Sequence, residues 1–149
     1  MKRRKAREYA LQFLYRIDFV DLPEDAEQQN VLAGMRGDLR DFWEDTGEKD
    51  QELRVFAEDI IAGTIGHLRE IDSEVQRVAE KWSLSRMAAI DRNILRFATY
   101  ELLFRKDIPS AVTINEALEI AKKYSTAESA SFINGLLDRI ARESEGSKK

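Results

Sequence analysis

The sequence SRMAAIDRNILRFATYELLFR at positions 85–105 decides the expected fold, because apolar residues cover most of its helical circumference. A surface helix keeps one face polar. In the second half of this stretch, the apolar run is interrupted only by Arg96, Thr99, Tyr100 and Glu101. We therefore expect a central helix enclosed by other helices, with Ser83 or Ser85 capping its start and Pro109 just after its end.

Four further helices are predicted before the central one, because apolar residues recur at helical spacing. Gly47 favours an end for the second helix, and Gly63 and Gly66 favour a break between the third and the fourth. The polar stretch 18–30, which contains Pro23, is typical of a connection. The four predicted helices span about 4–17, 31–46, 53–65 and 68–82.

Two segments after the central helix share one helix-start pattern. The segments 113–116 (TINE) and 125–128 (STAE) each place a hydroxyl residue three positions before a Glu. In this arrangement each side chain satisfies a backbone N–H of the other residue, so each segment should open a helix. Since no stretch shows a period of two, the sequence predicts an all-α fold of about six or seven helices. We expect one domain over residues 1–143 and a tail at 144–149.

The composition excludes several classes of chemistry. The chain has 149 residues with no Cys and one His, which excludes thiolate catalysis, disulfides and His-rich or Cys-rich metal sites. It has no G-x-x-x-x-G-K-[ST] loop, no G-x-S-x-G elbow and no H-E-x-x-H pair. We therefore expect no catalytic residues, no metal and no cofactor. The basic N-terminus lacks the apolar core of a secretory signal, which favours a cytoplasmic protein.

The net charge of −4 is unevenly distributed. Residues 18–59 carry fourteen acids against four bases, whereas the segment before them carries six basic residues against one acid. On a helix, Arg3, Arg4 and Arg7 fall within an arc of roughly 100°, and Tyr15 lies on the same flank. A basic cluster against an acidic background favours a local contact with nucleic acid. A basic helix end that only keeps the protein soluble explains the same pattern.

Four blocks of sequence carry a family resemblance: RRKAREYALQFLY (3–15), DRNILRFATYELLF (91–104), INEALEIAKKY (114–124) and FINGLLDRIA (132–141). Together they resemble the NusB family of bacterial transcription antitermination factors. The blocks keep their order across nearly the whole chain, and they are specific in combination although any one alone is weak. The acidic segment 18–51 does not match in detail.

The resemblance implies an all-α fold of two packed three-helix subdomains without catalytic activity. Members of this family bind the boxA element in the leader RNA of ribosomal RNA operons, as a heterodimer with the ribosomal protein NusE. The pair joins NusA and NusG on RNA polymerase and suppresses premature termination. We therefore expect boxA-type RNA and NusE as partners. Members occur as monomers and as homodimers, so a homodimer stays open.

The resemblance also assigns candidate RNA-binding residues. The arginine-rich start of the chain is expected to contact RNA phosphates. Its basic residues are Lys2, Arg3, Arg4, Lys5 and Arg7, with Tyr15 on their flank. Around the start of the FINGLLDRIA block, the implied RNA contacts are Glu128, Ser129, Phe132 and Asn134. Ala130 and Ser131 depart from the more polar or basic residues of some members.

Structural interpretations of these residues stay open. Phe132 shares an apolar stripe, which favours the core over base stacking, and Asn134 suits a helix contact as well as base recognition. Asp91 and Arg92 are the expected contacts for NusE, although exposed charges usually face water. Arg96 lies between apolar neighbours and is expected to form a structural ion pair.

Two other functions compete with an RNA-binding and protein-binding transcription factor. A helical adaptor that binds only protein would use its basic end for solubility. Similar domains also occur at the N-terminus of ribosomal RNA cytosine methyltransferases, but this chain holds neither a Gly-rich cofactor loop nor a catalytic Cys. RNA binding separates the first interpretation from the adaptor.

Overall fold

The structure is a computed structural model, and it describes residues 2–18 and 33–146. These residues form seven α-helices, one short 3-10 helix and no β-strand, which confirms the predicted all-α class. None of the helices in these ranges is both long and apolar enough to cross a lipid bilayer. The α-helices are α1 (Lys2–Asp18), α2 (Arg36–Thr46), α3 (Gln51–Gly66), α4 (Leu68–Ala79), α5 (Ala89–Phe104), α6 (Ser110–Tyr124) and α7 (Ala127–Gly146), and the 3-10 helix is Leu84–Arg86.

The first compact unit, residues 1–68, contains α1, α2 and α3, and α1 packs on α3. On α1, Ala6, Ala10 and Phe13 have no exposed surface. Small alanines allow the two helices to approach closely, and burying a side chain such as Phe13 contributes about 1.5–3 kcal/mol. The start of α3 is capped by Asp50, whose carboxylate accepts a hydrogen bond from the backbone N–H of Leu53 at 3.2 Å.

An aromatic cluster holds α2 in this unit. The rings of Phe42 and Trp43 meet Tyr9 edge-on, with centroids 6.1 and 5.3 Å away. The Nε1 of Trp43 donates to Glu58 of α3 at 2.8 Å, so the one polar atom of the indole is satisfied. The helix ends as predicted at Gly47, whose φ of 70° lies in the left-handed region that favours glycine.

The second compact unit, residues 69–149, is built around α5, which packs on both α6 and α7. The predicted central helix is thus confirmed, as is the structural ion pair of Arg96. The Nε and Nη2 atoms of Arg96 donate to the two carboxylate oxygens of Asp72 at 2.8 and 3.0 Å. The α5 residues without exposed surface include Ile94, Leu95, Phe97 and Ala98.

A buried polar pair joins α5 to α6. The Oγ1 of Thr113 donates to a carboxylate oxygen of Glu101 at 3.0 Å, and both side chains are buried. Leaving a buried acceptor unpaired costs about 1–3 kcal/mol, so this bond favours one register of α6 on α5. The predicted helix start at Thr113 is therefore wrong, because α6 begins at Ser110, directly after Pro109.

Two other predicted caps are also wrong. Ser83 and Ser85 do not cap α5, which starts several residues later without a side-chain cap, and their hydroxyls lie 2.9 Å from each other. At the start of α7, the hydroxyl of Thr126 accepts a hydrogen bond from the N–H of Ser129 at 2.9 Å. The capping residue is therefore one position after the predicted Ser125.

Some sequence predictions fall outside the described residues. The predicted connection 18–30 is described only at Asp18, the last residue of α1. Residues 31 and 32, the predicted start of the second helix, also lie outside. At the other end, α7 extends to Gly146 and so includes part of the segment 144–149 that was predicted as a tail.

Candidate nucleic-acid interface

The two lysines at the start of α1 are held by acidic residues. The Nζ of Lys2 lies 3.3 Å from Asp50 and 3.0 Å from Glu52, and the Nζ of Lys5 lies 3.1 Å from Glu48. The pKa of Lys2 is raised mainly by its hydrogen bond to Glu52, and the pKa of Lys5 by its hydrogen bond to Glu48. A phosphate at either lysine would therefore compete with a carboxylate of the same unit.

The arginines of α1 divide into exposed and buried positions. Arg3 is exposed and Arg7 is 1% exposed, and their Cζ atoms lie 4.7 and 5.2 Å from the centroid of the Phe56 ring. Because Arg7 has almost no surface for a phosphate, its burial on Phe56 favours a structural contact with α3 over the predicted RNA contact. Arg4 is half-buried. Tyr15 is 40% exposed and lies on the same helical line as Arg4, about 16 Å further along α1.

In the second unit, Asp91 ties the start of α5 to the start of α7. Its two carboxylate oxygens accept hydrogen bonds from the hydroxyls of Ser125 and Ser129 at 2.7 and 2.8 Å. Asp91 is half-buried, so part of its surface still faces solvent. The predicted partner residue therefore also fixes the α6–α7 connection.

Arg92 fixes the 3-10 helix onto α5. Its Nη1 lies within hydrogen-bonding distance of the backbone carbonyls of Leu84 and Met87, at 3.2 and 3.1 Å. The side chain is half-buried. These bonds give Arg92 a structural role, and its contact with a partner stays a prediction.

A groove between the 3-10 region and α7 brings together three of the four predicted residues of α7. It is an open cavity of about 630 Å³, and its walls include Glu128, Ser129 and Phe132. Phe132 is half-buried, with its ring edge-on to Trp82 at a centroid distance of 5.9 Å. Its ring thus belongs to the groove wall as well as to the apolar stripe of α7. We call this space the Trp82 groove.

Asn134 does not lie in the Trp82 groove. Two residues turn a helix by about 200°, so Asn134 is on the side of α7 opposite Phe132. It is exposed and lines a separate cavity of about 390 Å³ beside Asn115 of α6. The structure therefore separates Asn134 from the other predicted RNA contacts of α7.

Trp82 is a wall residue of this groove to which the sequence assigned no function. Helical spacing placed it in the stripe of the fourth helix, but α4 ends at Ala79. The chain turns at Glu80, whose φ of 55° is unusual for a residue other than glycine. No Gly or Pro marks this turn in the sequence. The exposure of Trp82 is therefore seen only in the structure.

Comparison with known proteins identifies the family of this chain. A family model described as the NusB family matches residues 4–142. The chain belongs to the NusB family. The sequence resemblance to NusB is thereby confirmed over nearly the entire chain.

Individual relatives agree with this assignment. The chain is 53% identical over 144 residues to the transcription antitermination protein NusB of Thermodesulfovibrio yellowstonii, covering 96% of this chain and 93% of that protein. It is 42% identical to a solved NusB structure from T. maritima, with a TM-score of 0.75 and coverage of 95% and 91% of the two chains.

A third relative was solved in a complex. The crystal structure is described as antitermination factors NusB and NusE in complex with dsRNA. The match has 25% sequence identity and a TM-score of 0.79, and it covers 95% of this chain and 97% of the other. That structure thus contains a NusB protein with both a protein and an RNA partner.

Proposed function

We propose that this chain is a transcription antitermination factor that binds boxA-type RNA together with NusE. The observation that carries the proposal is the match over nearly the full chain to antitermination proteins of the NusB family. The similarity to a structure of NusB with NusE and RNA supports both partners. In the larger complex, the pair would act with NusA, NusG and RNA polymerase in the cytoplasm.

The proposed phosphate-binding surface is the start of α1. It consists of four basic residues, because Arg7 is buried: Lys2, Arg3, Arg4 and Lys5. Phosphates would replace the carboxylates that now hold the two lysines, so that the acidic neighbours limit nonspecific binding. Tyr15 shares a helical line with Arg4 and offers an exposed ring to the same strand.

The second proposed surface is the Trp82 groove, whose wall includes Asp91. Ser129 and Phe132 offer a hydroxyl and an aromatic edge to RNA bases, and Glu128 adds a hydrogen-bond acceptor. Asp91 is proposed to contact NusE through the part of its carboxylate that remains exposed. A homodimer that used this same surface would compete with NusE.

The adaptor function is the main alternative, and it predicts NusE binding without RNA binding. The local basic charge at the start of α1 favours RNA, because the chain as a whole carries a net charge of −4. The relatives are antitermination proteins, which also favours a binding protein over a methyltransferase.

The salt dependence of RNA binding tests the phosphate-binding surface. If all four basic residues meet a phosphate, the slope of log affinity against log salt on single-stranded RNA approaches about −2.8, a loss of about fiftyfold between 50 and 200 mM salt. Replacing Arg3 and Arg4 with Ala should reduce the magnitude of this slope by about 1.4. Fluorescence anisotropy with a labelled boxA-type oligoribonucleotide measures both values.

The matched control is Arg36→Ala with Arg40→Ala, which removes the same charge from exposed positions of α2. This variant should keep the steep slope. An unchanged slope in the Arg3 and Arg4 variant would place the RNA elsewhere. NusE binding without RNA binding by the lone chain or by the heterodimer would favour the adaptor.

A further inference from the structure

We propose that Trp82 is a base-stacking residue, and that its groove takes one unpaired nucleotide of the bound RNA. The inference rests on the proposed RNA-binding function and adds a residue that stacks on a base. Trp82 is 64% exposed, whereas the other tryptophan, Trp43, is 3% exposed. A single-stranded base can stack on an exposed indole whatever its sequence, because every base has a π-face.

The turn that carries Trp82 is fixed by one side chain of α4. The Nε2 of Gln76 donates to the carbonyls of Glu80 and Trp82 at 3.2 and 3.0 Å. Its Oε1 accepts a hydrogen bond from the N–H of Leu84 at 2.9 Å. Gln76 thus holds both ends of the turn, so the backbone of Trp82 is ordered before any ligand arrives. An ordered aromatic loses less conformational freedom on binding.

The neighbouring ring of Phe132 supports the indole. The two rings meet at an angle of 69° with centroids 5.9 Å apart, so the edge-on contact buttresses Trp82 and leaves most of its surface exposed. The cavity of about 630 Å³ lies within the range of about 300–1,000 Å³ that is usual for small-molecule sites. It is large enough for a nucleotide.

The charges around the groove favour a nucleotide over an apolar peptide side chain. Lys81 and Arg86 are exposed on its wall, and within the described residues neither forms an ion pair. The acids of the wall are Glu128, which is exposed, and Asp91, which is half-buried with both carboxylate oxygens accepting hydrogen bonds from serine hydroxyls. A phosphate would therefore lie near Lys81 and Arg86, with its base on Trp82.

The test measures the affinity of the full chain for a boxA-type oligoribonucleotide, alone and with NusE. Trp82→Ala should weaken binding by about tenfold, and Trp82→Phe should retain most of the affinity because a ring remains. The backbone bonds of Gln76 do not depend on the indole, so circular dichroism should be unchanged. The matched control is Phe104→Ala, which removes an exposed aromatic of the same unit outside the groove.

A series of RNAs with one abasic site each separates stacking from a structural effect. In the wild type, one abasic position should weaken binding by about as much as Trp82→Ala does. In Trp82→Ala, the same abasic site should cause no further loss, because the base and the ring form one contact. The RNA should also protect Trp82 fluorescence from a soluble quencher.

Three outcomes would overturn the inference. Unchanged RNA affinity in Trp82→Ala, while the Arg3 and Arg4 variant binds more weakly, would reject stacking and retain the proposed function. If Trp82→Ala and every abasic site reduce the RNA affinity independently of each other, the effect of Trp82→Ala on binding is indirect. If Trp82→Ala lowers the affinity for NusE but not the affinity for RNA, the groove binds protein. Absence of RNA binding by the wild type would instead reject the proposed function.

Discussion

Arg7 is a charged side chain used for packing at the contact between α1 and α3. Its guanidinium lies 5.2 Å from the centroid of the Phe56 ring, and the side chain is 1% exposed. A desolvated cation over an aromatic ring contributes up to about 2 kcal/mol, and the aliphatic stem of Arg fills additional space. The charge therefore belongs to the stability of the first unit.

We expect Arg7→Ala to lower the free energy of unfolding by about 2–3 kcal/mol, because it removes both the cation and the packing. Arg7→Met keeps the stem and should cost less. Arg3→Ala is the matched control, since Arg3 also lies on Phe56 but is exposed. Urea denaturation measures the three values. A stable Arg7→Ala protein with a flatter salt slope in RNA binding would restore Arg7 to the phosphate-binding surface.

Individual residues show why the sequence predicts only part of the candidate site. Helical spacing places Arg3, Arg4 and Arg7 in one arc, but it does not show how far α3 covers that arc. The cover depends on Phe56, which is about fifty positions away in the sequence. Trp82 was missed for a different reason, because its exposure depends on a local turn at Glu80 that no glycine marks.

At the scale of elements, α1 is joined to the segment before α3 by a small charge network. The carboxylate of Glu48 accepts hydrogen bonds from Tyr9 Oη at 3.0 Å and from the N–H of Asp50 at 3.2 Å, and Lys5 lies beside it. The N–H of Asp50 is the largest cause that lowers the pKa of Glu48, and Lys5 is the second. The pKa of Asp50 is lowered mainly by the N–H of Leu53.

These shifts predict the pH dependence of the α1 contact. The folded-state pKa of Glu48 and of Asp50 is lowered. The two carboxylates therefore contribute fully to the free energy of unfolding above the usual carboxylate pKa range, and this contribution is lost as the pH falls through and below that range. The folded-state pKa of Lys2 and of Lys5 is raised, so the two lysines still contribute to the free energy of unfolding at neutral pH. Their contribution is lost as the pH rises through these folded-state pKa values.

Glu48→Gln should therefore reduce the loss of stability between neutral and acidic pH. Thermal unfolding at a series of pH values measures this dependence for wild type and variant. Glu44→Gln is the matched control, because Glu44 is an exposed acid of α2 in the same unit. Equal acid dependence in wild type and Glu48→Gln would show that the network does not support the folded state.

The helices themselves were largely predictable, whereas several of their starts were not. Apolar spacing is a property of the local sequence, and it located all seven helices that the structure describes. A cap also depends on tertiary partners. Thr113 has the hydroxyl and the following Glu of a helix start, but its hydroxyl bonds to Glu101 and Pro109 allows α6 to begin earlier.

At the scale of the whole molecule, the proposed function must explain how a protein of net charge −4 selects one RNA element. Basic residues at the start of α1 position phosphates but do not distinguish bases. The residues proposed to contact bases are few: Tyr15, Trp82, Glu128, Ser129 and Phe132. Aromatic stacking is also tolerant of sequence. Selectivity therefore requires an additional surface, which we expect NusE to supply.

We predict that NusE raises the affinity for boxA-type RNA more than for a scrambled RNA of equal length. Asp91→Lys should weaken heterodimer formation and leave RNA binding by the lone chain nearly intact. Ser125→Ala is the control, because it removes one hydrogen bond to Asp91 but keeps the negative charge. Titrating both RNAs with the lone chain and with the mixture decides between the explanations. Equal enhancement for the two RNAs would show that NusE adds charge without sequence discrimination. Equal weakening of the heterodimer by Asp91→Lys and Ser125→Ala would show that Asp91 acts only through the α6–α7 connection.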